Sequence, residues 1–201
     1  MKMKVCEIGF PRTGTRSLSA AMQILGFSSQ HGVRGLDQDT KKNIARKLLF
    51  GSTNLSIYNQ FDFVGDLPRV HWQQLHDEYE HLKFILTIRE DDEWWESCKR
   101  RWWNTRRQKA RDYARDGVPP DQIVNLINAL SGCGTVGLNE RIWRENYRSH
   151  NRRVIWSTKA SRLLIFNPTA GDGWSRLCNF LEVDEPAVPF PHLPLKAAKS
   201  K

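Results

Sequence analysis

Residues 4–18 run Lys-Val-Cys-Glu-Ile-Gly-Phe-Pro-Arg-Thr-Gly-Thr-Arg-Ser-Leu, and this stretch decides how the rest of the chain is interpreted. The apolar run at residues 4–8 predicts a short buried strand that ends at a glycine–proline turn. Residues 15–25 then predict a helix, since apolar side chains recur at the spacing of one helical face (Leu18, Met22 and Leu25). Gly26 stands where the helix is expected to stop.

The turn between this strand and this helix has the features of an anion site. A glycine-bounded turn directs backbone N–H groups at one point, and the helix N-terminus adds positive potential there. Hydroxyl and guanidinium groups add further donors: Thr13, Thr15, Ser17, Arg12 and Arg16. The stretch therefore predicts a site for a phosphate or a sulfate.

The turn differs from the loop of Mg-dependent nucleoside triphosphatases. Gly9 and Gly14 have the P-loop spacing, but Thr15 stands where the phosphate-binding lysine is required. The cation lies before the second glycine, at Arg12, and Asp66 is the nearest approach to a strand-ending Mg²⁺ ligand. This pattern favours a monophosphate next to a second transferable anion over a Mg-chelated triphosphate.

The remainder of the chain alternates strands and helices. Strands are predicted at residues 61–64, 83–88 (KFILTI) and 162–166, and helices at 37–50, 68–79, 91–115, 119–130, 138–157 and 173–181, with a loop at 132–137. Such alternation predicts a three-layer α/β/α fold with a central parallel sheet of four to five strands and a P-loop-like nucleotide site. Ligands of such folds bind beyond the carboxyl ends of the strands. We expect one domain at residues 1–183 and an extended, partly disordered arm at 184–201.

Composition narrows the classes of function. The 201 residues are 39% hydrophobic and 26% charged, which excludes fibrous, low-complexity and wholly disordered chains. No apolar run is long enough to span a membrane and the start lacks a signal-peptide core, so a cytoplasmic location is expected. The four cysteines are far apart and are expected to be reduced (Cys6, Cys98, Cys133 and Cys178). A net charge of +9 favours an anionic partner.

Residues 11–18, Pro-Arg-Thr-Gly-Thr-Arg-Ser-Leu, resemble the 5′-phosphosulfate loop of sulfotransferases that use 3′-phosphoadenosine 5′-phosphosulfate (PAPS). The resemblance implies that the loop from Arg12 to Ser17 holds the 5′-phosphate of PAPS. It also implies that Arg12 stabilises the leaving phosphate, and that no metal is needed. The acceptor would be a hydroxyl or an amine of a small molecule or glycan.

A second segment strengthens the resemblance. Arg89 ends the strongest predicted strand, and Ser97 follows eight residues later on a predicted helix; in sulfotransferases a pair at this spacing holds the 3′-phosphate. The guanidinium fork of an arginine suits a phosphate. The alternative interpretation pairs Arg89 with Asp91 or Asp92 and leaves Ser97 as an exposed helix residue.

The candidate base follows from a third segment. In cytosolic sulfotransferases a catalytic His precedes Leu-Pro at the end of the matching strand, and here Asp66 precedes Leu67-Pro68. The resemblance therefore implies that Asp66 takes the proton of the acceptor. Asp66 could instead cap a helix that begins at Pro68. His31 and His71 are reserve bases, because each lies near a strand end.

The carboxyl-terminal part resembles one sulfotransferase group through Gly-Trp-x-x-Leu-Cys-x-Phe-Leu at 173–181 and Pro-Phe-Pro-His at 189–192. A structural role is expected there, with one apolar helix face (Trp174, Leu177, Phe180 and Leu181). The Arg-Lys-Gly element that binds the 3′-phosphate in cytosolic animal enzymes is absent, and Arg152 or Arg153 is a candidate replacement.

Two rival functions remain at this stage. Trp94, Trp95, Trp102 and Trp103 alternate with eight basic residues between positions 94 and 115. Such a helix can bind nucleic acid or a membrane surface, can pack its tryptophans in the core, or can wall an acceptor pocket. The rivals to a PAPS sulfotransferase are therefore a small-molecule kinase and a nucleic-acid-binding protein, although no nucleic acid is expected. The six histidines lack the spacing of a zinc site.

Overall fold

A computed structural model describes residues 2–49, 54–100, 115 and 139–193. At its centre lies a sheet of five strands, all parallel, in the order β2-β3-β1-β4-β5. The strands are β1 Val5–Glu7, β2 Ser29–His31, β3 Phe63–Gly65, β4 Lys83–Thr87 and β5 Leu163–Phe166. The first strand is thus central, and the turn that follows it lies at the middle of the sheet's carboxyl edge.

Helices cover both faces of this sheet. They are α1 Thr15–Ile24, α2 Gln38–Leu49, α3 Trp72–Glu78, α4 at residues 91–100, α5 Glu140–Ser157 and α6 Trp174–Leu181. Alternate strand residues point to opposite faces. Val5 and Phe63 pack in one core with α1 and α6, whereas Cys6 and Val64 pack in another with α2, α3 and α5. The predicted three-layer α/β/α fold with a parallel sheet is confirmed.

The second strand, β2, was not predicted from the sequence. Its three residues, Ser-Gln-His, are polar, and the strand pairs only with β3 at the edge of the sheet. A three-residue polar strand has neither the apolar run nor the alternation that reveals a strand in sequence. This omission matters for the site, because β2 ends at His31.

Two predicted elements differ in extent. The strand expected at 61–64 begins at Phe63 and reaches Gly65. The helix expected from Pro68 to Tyr79 is a 3₁₀ turn at Pro68–His71 followed by α3. A φ of −136° at His71 separates these two pieces.

Other predictions are confirmed within one or two residues. Gly26, with a φ of +83°, ends α1 as expected. Ile44 and Leu48 of α2 are buried. The side chain of Leu49 lies outside the described residues. Three other predicted segments also lie outside the described residues: most of the helix beyond residue 100, the helix at 119–130 and the loop at 132–137.

The arm after α6 packs against the domain up to Leu193. Trp174 Nε1 donates to the carbonyl oxygen of Val188 (2.6 Å). The Phe190 ring packs edge-on against Trp174 and Phe166, with centroids 5.0 and 5.8 Å away. The end of the described arm therefore lies against α1, where Leu193 N donates to Ser17 Oγ (3.0 Å).

Candidate functional site

The turn between β1 and α1 has two positions that only glycine fits. A Cβ on Gly9 would lie 2.2 Å from the Thr87 carbonyl oxygen. Gly14 has a φ of +93°, and a Cβ there would lie 2.4 Å from Pro168 Cγ. Arg12 also has a positive φ, +82°, which costs a non-glycine residue about 1 kcal/mol. The surrounding structure therefore holds the loop in a conformation that it would not adopt alone.

A cavity of about 750 Å³ lies over this turn, a volume within the range of small-molecule sites. Its described lining carries four arginines and no carboxylate: Arg12, Gly14, Thr15, Arg16, Ser17, Arg89, Arg100, Pro168, Thr169, Gly171, His192 and Leu193. The N–H groups of the first turn of α1 have no partner within the helix. The cavity thus brings the first loop and Arg89 to one strongly positive space.

The hydroxyl groups of the loop have distinct surroundings. Thr13 is fully buried, and its Oγ1 donates to the Phe10 carbonyl oxygen (2.6 Å) below the turn. Thr15 Oγ1 is hydrogen-bonded to His31 Nε2 (2.9 Å), and Ser17 accepts from the arm. Thr15 and Ser17 line the cavity, whereas the hydroxyl of Thr13 faces away from it.

Ser97 contacts Arg12. Its Oγ accepts from Arg12 Nε (3.0 Å) and Nη2 (2.9 Å). The serine is fully buried on α4, so the alternative of an exposed helix residue is wrong. The buried Ser97 therefore orients the guanidinium group of Arg12.

Arg89 stands at the end of β4. Its Nε donates to Glu93 Oε2 (3.1 Å), an exposed carboxylate four residues along. The alternative partners Asp91 and Asp92 are bound instead by Arg144, and Asp91 also by Arg148. The pairing of Arg89 with either aspartate is therefore wrong, and its guanidinium group faces the cavity.

Glu7, which the sequence analysis did not single out, connects three strand ends. Its Oε1 is bonded to Gly9 N (2.6 Å) and Thr87 Oγ1 (2.7 Å), and its Oε2 accepts from Asp66 N (2.9 Å). The side chain is fully buried. One carboxyl group thus fixes the start of the loop, the end of β4 and the candidate base.

A count of hydrogens gives the protonation state of Glu7. Glu7 Oε1, Thr87 Oγ1, Thr13 Oγ1 and the Phe10 carbonyl oxygen form a chain of three contacts of 2.7, 2.6 and 2.6 Å. Each contact needs one hydrogen, but the two threonines supply only two. A proton on Glu7 supplies the third, so that every contact has its donor. Burial, and then the charge of Asp66, raise the pKa of Glu7 to about 8, in agreement with this count.

Asp66 lies at the end of β3 with a φ of +72°. The 3₁₀ turn after it begins without a side-chain cap, so the alternative role as a helix cap is wrong. Its Oδ2 faces Gly32, and its Oδ1 is buried with no hydrogen-bond partner among the described residues. Asp66 is not among the residues that line the 750 Å³ cavity; it lies at the end of β3, next to Gly32 and His31.

The two reserve bases have different neighbours. His31 bonds Thr15 of the loop, and burial lowers its pKa while the charge of Asp66 opposes this effect. His71 Nε2 is hydrogen-bonded to the Tyr58 hydroxyl (2.8 Å), and burial lowers its pKa to about 4. His71 lines a second cavity rather than the first.

The candidate replacements for the missing 3′-phosphate element lie away from the arginine-lined cavity. Arg152 pairs with Glu145 (3.1 Å) on α5, and Arg153 lines the second cavity. Arg100 lies at the first cavity instead. No sequence pattern marked Arg100, because it is one of several basic residues in a row.

The first tryptophan pair of the basic helix belongs to the core. Trp94 stacks on Tyr147 with centroids 4.3 Å apart, and its Nε1 donates to the Pro11 carbonyl oxygen (3.0 Å). Trp95 packs edge-on against Trp143. These two rings are therefore not available to stack on bases; Trp102 and Trp103 lie outside the described residues.

Comparison with known proteins agrees with this geometry. A family model described as a sulfotransferase domain matches residues 4–198. The chain belongs to the sulfotransferase family. It is also similar to the Ava biosynthesis cluster protein M of Aspergillus versicolor, at 25% identity over 212 residues, which cover 95% of this chain and 80% of the relative.

Membership of the sulfotransferase family supports sulfotransferase activity and explains the cationic loop. No cluster of three or more potential metal ligands occurs among residues 2–49, 54–100 and 139–193. Within the same part of the chain, no helix is both long enough and apolar enough to cross a bilayer. The described cysteines are buried: Cys6, Cys98 and Cys178.

Proposed function

We propose that this sulfotransferase moves a sulfonate group from PAPS to a hydroxyl or amine of a small molecule or glycan. The observation that supports this most is the shared cavity, in which the loop and Arg89 face one space lined by four arginines. A nucleotide with phosphates at both its 5′ and 3′ positions offers two separated anions to such a space. Arginine is suited to phosphate because its guanidinium group donates in a planar fork.

In this proposal the loop holds the 5′-phosphate and the sulfonate. The N–H groups at the start of α1 donate to the phosphate, and Arg12 stabilises the negative charge that develops on the leaving group. Ser97 keeps the guanidinium group of Arg12 in place. Catalysis then depends on positioning and on fixed positive charge.

We propose that Asp66 takes the proton from the hydroxyl or amine of the acceptor, as the resemblance implies. The support from geometry is its place at the end of β3, next to the loop and tethered through its N–H to Glu7. His31 is the reserve candidate, because it contacts Thr15 in the loop. His71 lines the second cavity.

Arg89 is our proposed ligand of the 3′-phosphate. Ser97 was expected to share this role, but it is buried behind Arg12, so it would reach a phosphate only if Arg12 released it. Arg100 is a further cation at the same cavity. The cytoplasmic location expected from the sequence stays a prediction.

A thermal-shift comparison tests the donor. Ligands that bind only the folded state raise its stability by RT ln(1 + L/Kd), where L is the free ligand concentration. We expect adenosine 3′,5′-bisphosphate to raise the Tm, and ATP with Mg²⁺ and single-stranded DNA to have little effect. A larger shift with ATP and Mg²⁺ would favour the kinase, and a salt-sensitive shift with DNA alone would favour the nucleic-acid-binding protein.

A further inference from the structure

A second cavity, of about 540 Å³, is lined by the loop's Phe10 and shares no described lining residue with the first. Its walls come from the segment that follows Asp66 and from one side of α5. The lining residues are Phe10, Arg69, Val70, His71, Trp72, Gln73, Gln74, Asn146, His150 and Arg153. The cavity is thus built by the loop that would hold the donor and by the 3₁₀ turn that begins two residues after the candidate base.

The described lining of this cavity combines positive charge with neutral hydrogen-bond donors. Its charged groups are the guanidinium groups of Arg69 and Arg153, and no carboxylate is among them. Gln73, Gln74 and Asn146 add carboxamide groups. A site with this composition binds an anion better than a neutral or cationic group.

The two histidines of the cavity add no charge at neutral pH. Burial lowers the pKa of His150 to about 3 and that of His71 to about 4. His150 Nε2 donates to the Ile8 carbonyl oxygen (2.7 Å), which leaves its Nδ1 as an acceptor. His71 Nδ1 is buried and has no hydrogen-bond partner among the described residues. The two arginines are therefore the charged groups of the described lining at neutral pH.

The cavity also has an aromatic side. Phe10 and Trp72 line it, and the guanidinium group of Arg69 lies over the Phe10 ring at 4.9 Å from its centroid. The Trp72 ring is edge-on to His150. Such walls suit the flat or apolar body of a small molecule, and the arginines suit a charged end.

We propose that this cavity binds the acceptor, and that the acceptor is a ring-bearing hydroxyl compound with a separate anionic group held by Arg153 and Arg69. This inference rests on the proposed function. It adds the class of acceptor: the charged end is bound between α5 and the 3₁₀ turn, and the hydroxyl end is left to face Phe10 of the loop. Arg153 contributes to acceptor affinity and not to donor affinity.

Matched pairs of acceptors test the proposal. We would use 3-(4-hydroxyphenyl)propanoate, 4-(hydroxymethyl)benzoate and 3-(hydroxymethyl)benzoate, each beside its methyl ester, which keeps the hydroxyl nucleophile and removes the negative charge. Binding is measured by calorimetry with the protein saturated with adenosine 3′,5′-bisphosphate, so that the first cavity is filled. Transfer from labelled PAPS gives kcat/KM for the same pairs.

We expect at least one acid to bind and react at least tenfold better than its ester. We expect Arg153→Ala to lower the preference for the acid over its ester about tenfold, which is the effect of losing one charge-assisted hydrogen bond. The affinity for adenosine 3′,5′-bisphosphate is expected to stay unchanged. Arg141→Ala is the matched control, because Arg141 is exposed on the same helix and lines neither cavity. Arg141→Ala is expected to change neither the preference for the acid nor the bisphosphate affinity by more than twofold.

Each contrary result has a separate meaning. If bisphosphate binds but no acid is preferred to its ester, or if Arg153→Ala and Arg141→Ala behave alike, the acceptor class is wrong and the donor assignment stands. If Arg153→Ala weakens bisphosphate binding, Arg153 serves the donor and the proposal is overturned. Failure of the wild-type protein to bind bisphosphate contradicts the proposed function itself.

Discussion

Glu7 illustrates how one residue can set the site and also the response of stability to pH. It is a carboxyl group in an otherwise apolar strand, bonded to the loop, to β4 and to Asp66. The sequence carried a signal for it, since a lone acid in a buried strand is rare. Its partners were not predictable, because they come from positions 59 and 80 residues away.

Glu7 should make the protein less stable as the pH rises from 6.5 to 8. The unfolded glutamate loses its proton near pH 4.5 and the folded one near 8, so the folded state holds one more proton between these values. The free energy of unfolding then falls by about 1.4 kcal/mol per pH unit from this group. The buried His31, His71 and His150 oppose this trend up to about pH 7.5, because the unfolded state still binds protons at these groups near their ordinary pKa of 6.5 while the folded state binds fewer.

Urea unfolding at pH 6.5, 7.25 and 8 measures this slope. We expect the stability of Glu7→Gln relative to the wild type to rise from pH 6.5 to 8, whatever its absolute stability, because the amide does not titrate. Glu145→Gln, an exposed substitution on α5, should keep the wild-type slope. An unchanged slope in Glu7→Gln would mean that Glu7 is ionised in the folded protein throughout this range.

The role proposed for Asp66 in catalysis can be measured separately from the binding of the nucleotide. We expect Asp66→Asn to lower kcat by about 10²–10⁴-fold, the usual contribution of a general base, and to leave the affinity for adenosine 3′,5′-bisphosphate unchanged. Turnover with labelled PAPS and an acceptor from the pairs above measures the first value, and calorimetry the second. Full turnover in Asp66→Asn, with a loss in His31→Gln, would transfer the role to His31.

At the scale of elements, the longer helices and the apolar strands could be predicted from the sequence, but the polar edge strand β2 could not. β4 was predicted within one residue because it is apolar and β-branched. β2 was missed because its three polar residues are held by backbone pairing to β3 and by Ser29 Oγ, which is bonded to Ser19. Long-range contacts of this kind leave no local pattern in the sequence.

The arm after α6 is an element whose contribution can be measured. Phe190 packs the arm against Trp174 and Phe166. His192 and Leu193, which follow, line the first cavity. We expect Phe190→Ala to lower the free energy of unfolding by about 1–2 kcal/mol, since the ring is half-buried, and to weaken bisphosphate binding severalfold.

Val188→Ala is the control for this substitution. Its side chain is 48% exposed, and only its backbone carbonyl bonds Trp174, so the arm should stay in place. Urea unfolding and calorimetry of both variants give the comparison. Equal bisphosphate affinity in Phe190→Ala and the wild type would show that the arm does not shape the cavity.

At the scale of the whole molecule, strand order explains why distant motifs meet. β1 lies between β3 and β4, so the loop after β1 has Asp66 on one side and Arg89 on the other. The sequence predicted that all three follow strand ends, and parallel pairing then places them on one edge of the sheet. Which of them face the cavity was not predictable, because side-chain direction depends on the strained turns at Arg12 and Asp66.

Part of the positive charge of the chain lies at the two cavities. Of its 31 lysines and arginines, four arginines line the first cavity and two line the second. Phe10 lines the second cavity and is packed by Trp94, Tyr147 and His150. The molecule thus presents two cationic cavities, each lined in part by residues of the loop that follows β1.

The central claim is that one cavity binds both phosphates of a single adenosine 3′,5′-bisphosphate, with Arg89 at the 3′ end. Calorimetry of the wild-type protein and Arg89→Ala with this ligand and with adenosine 5′-monophosphate tests it directly. We predict that the wild-type protein prefers the bisphosphate at least tenfold, and that Arg89→Ala abolishes the preference while its affinity for the monophosphate is unchanged. A preference that persists in Arg89→Ala, or an equal loss of affinity for both nucleotides, would contradict the account.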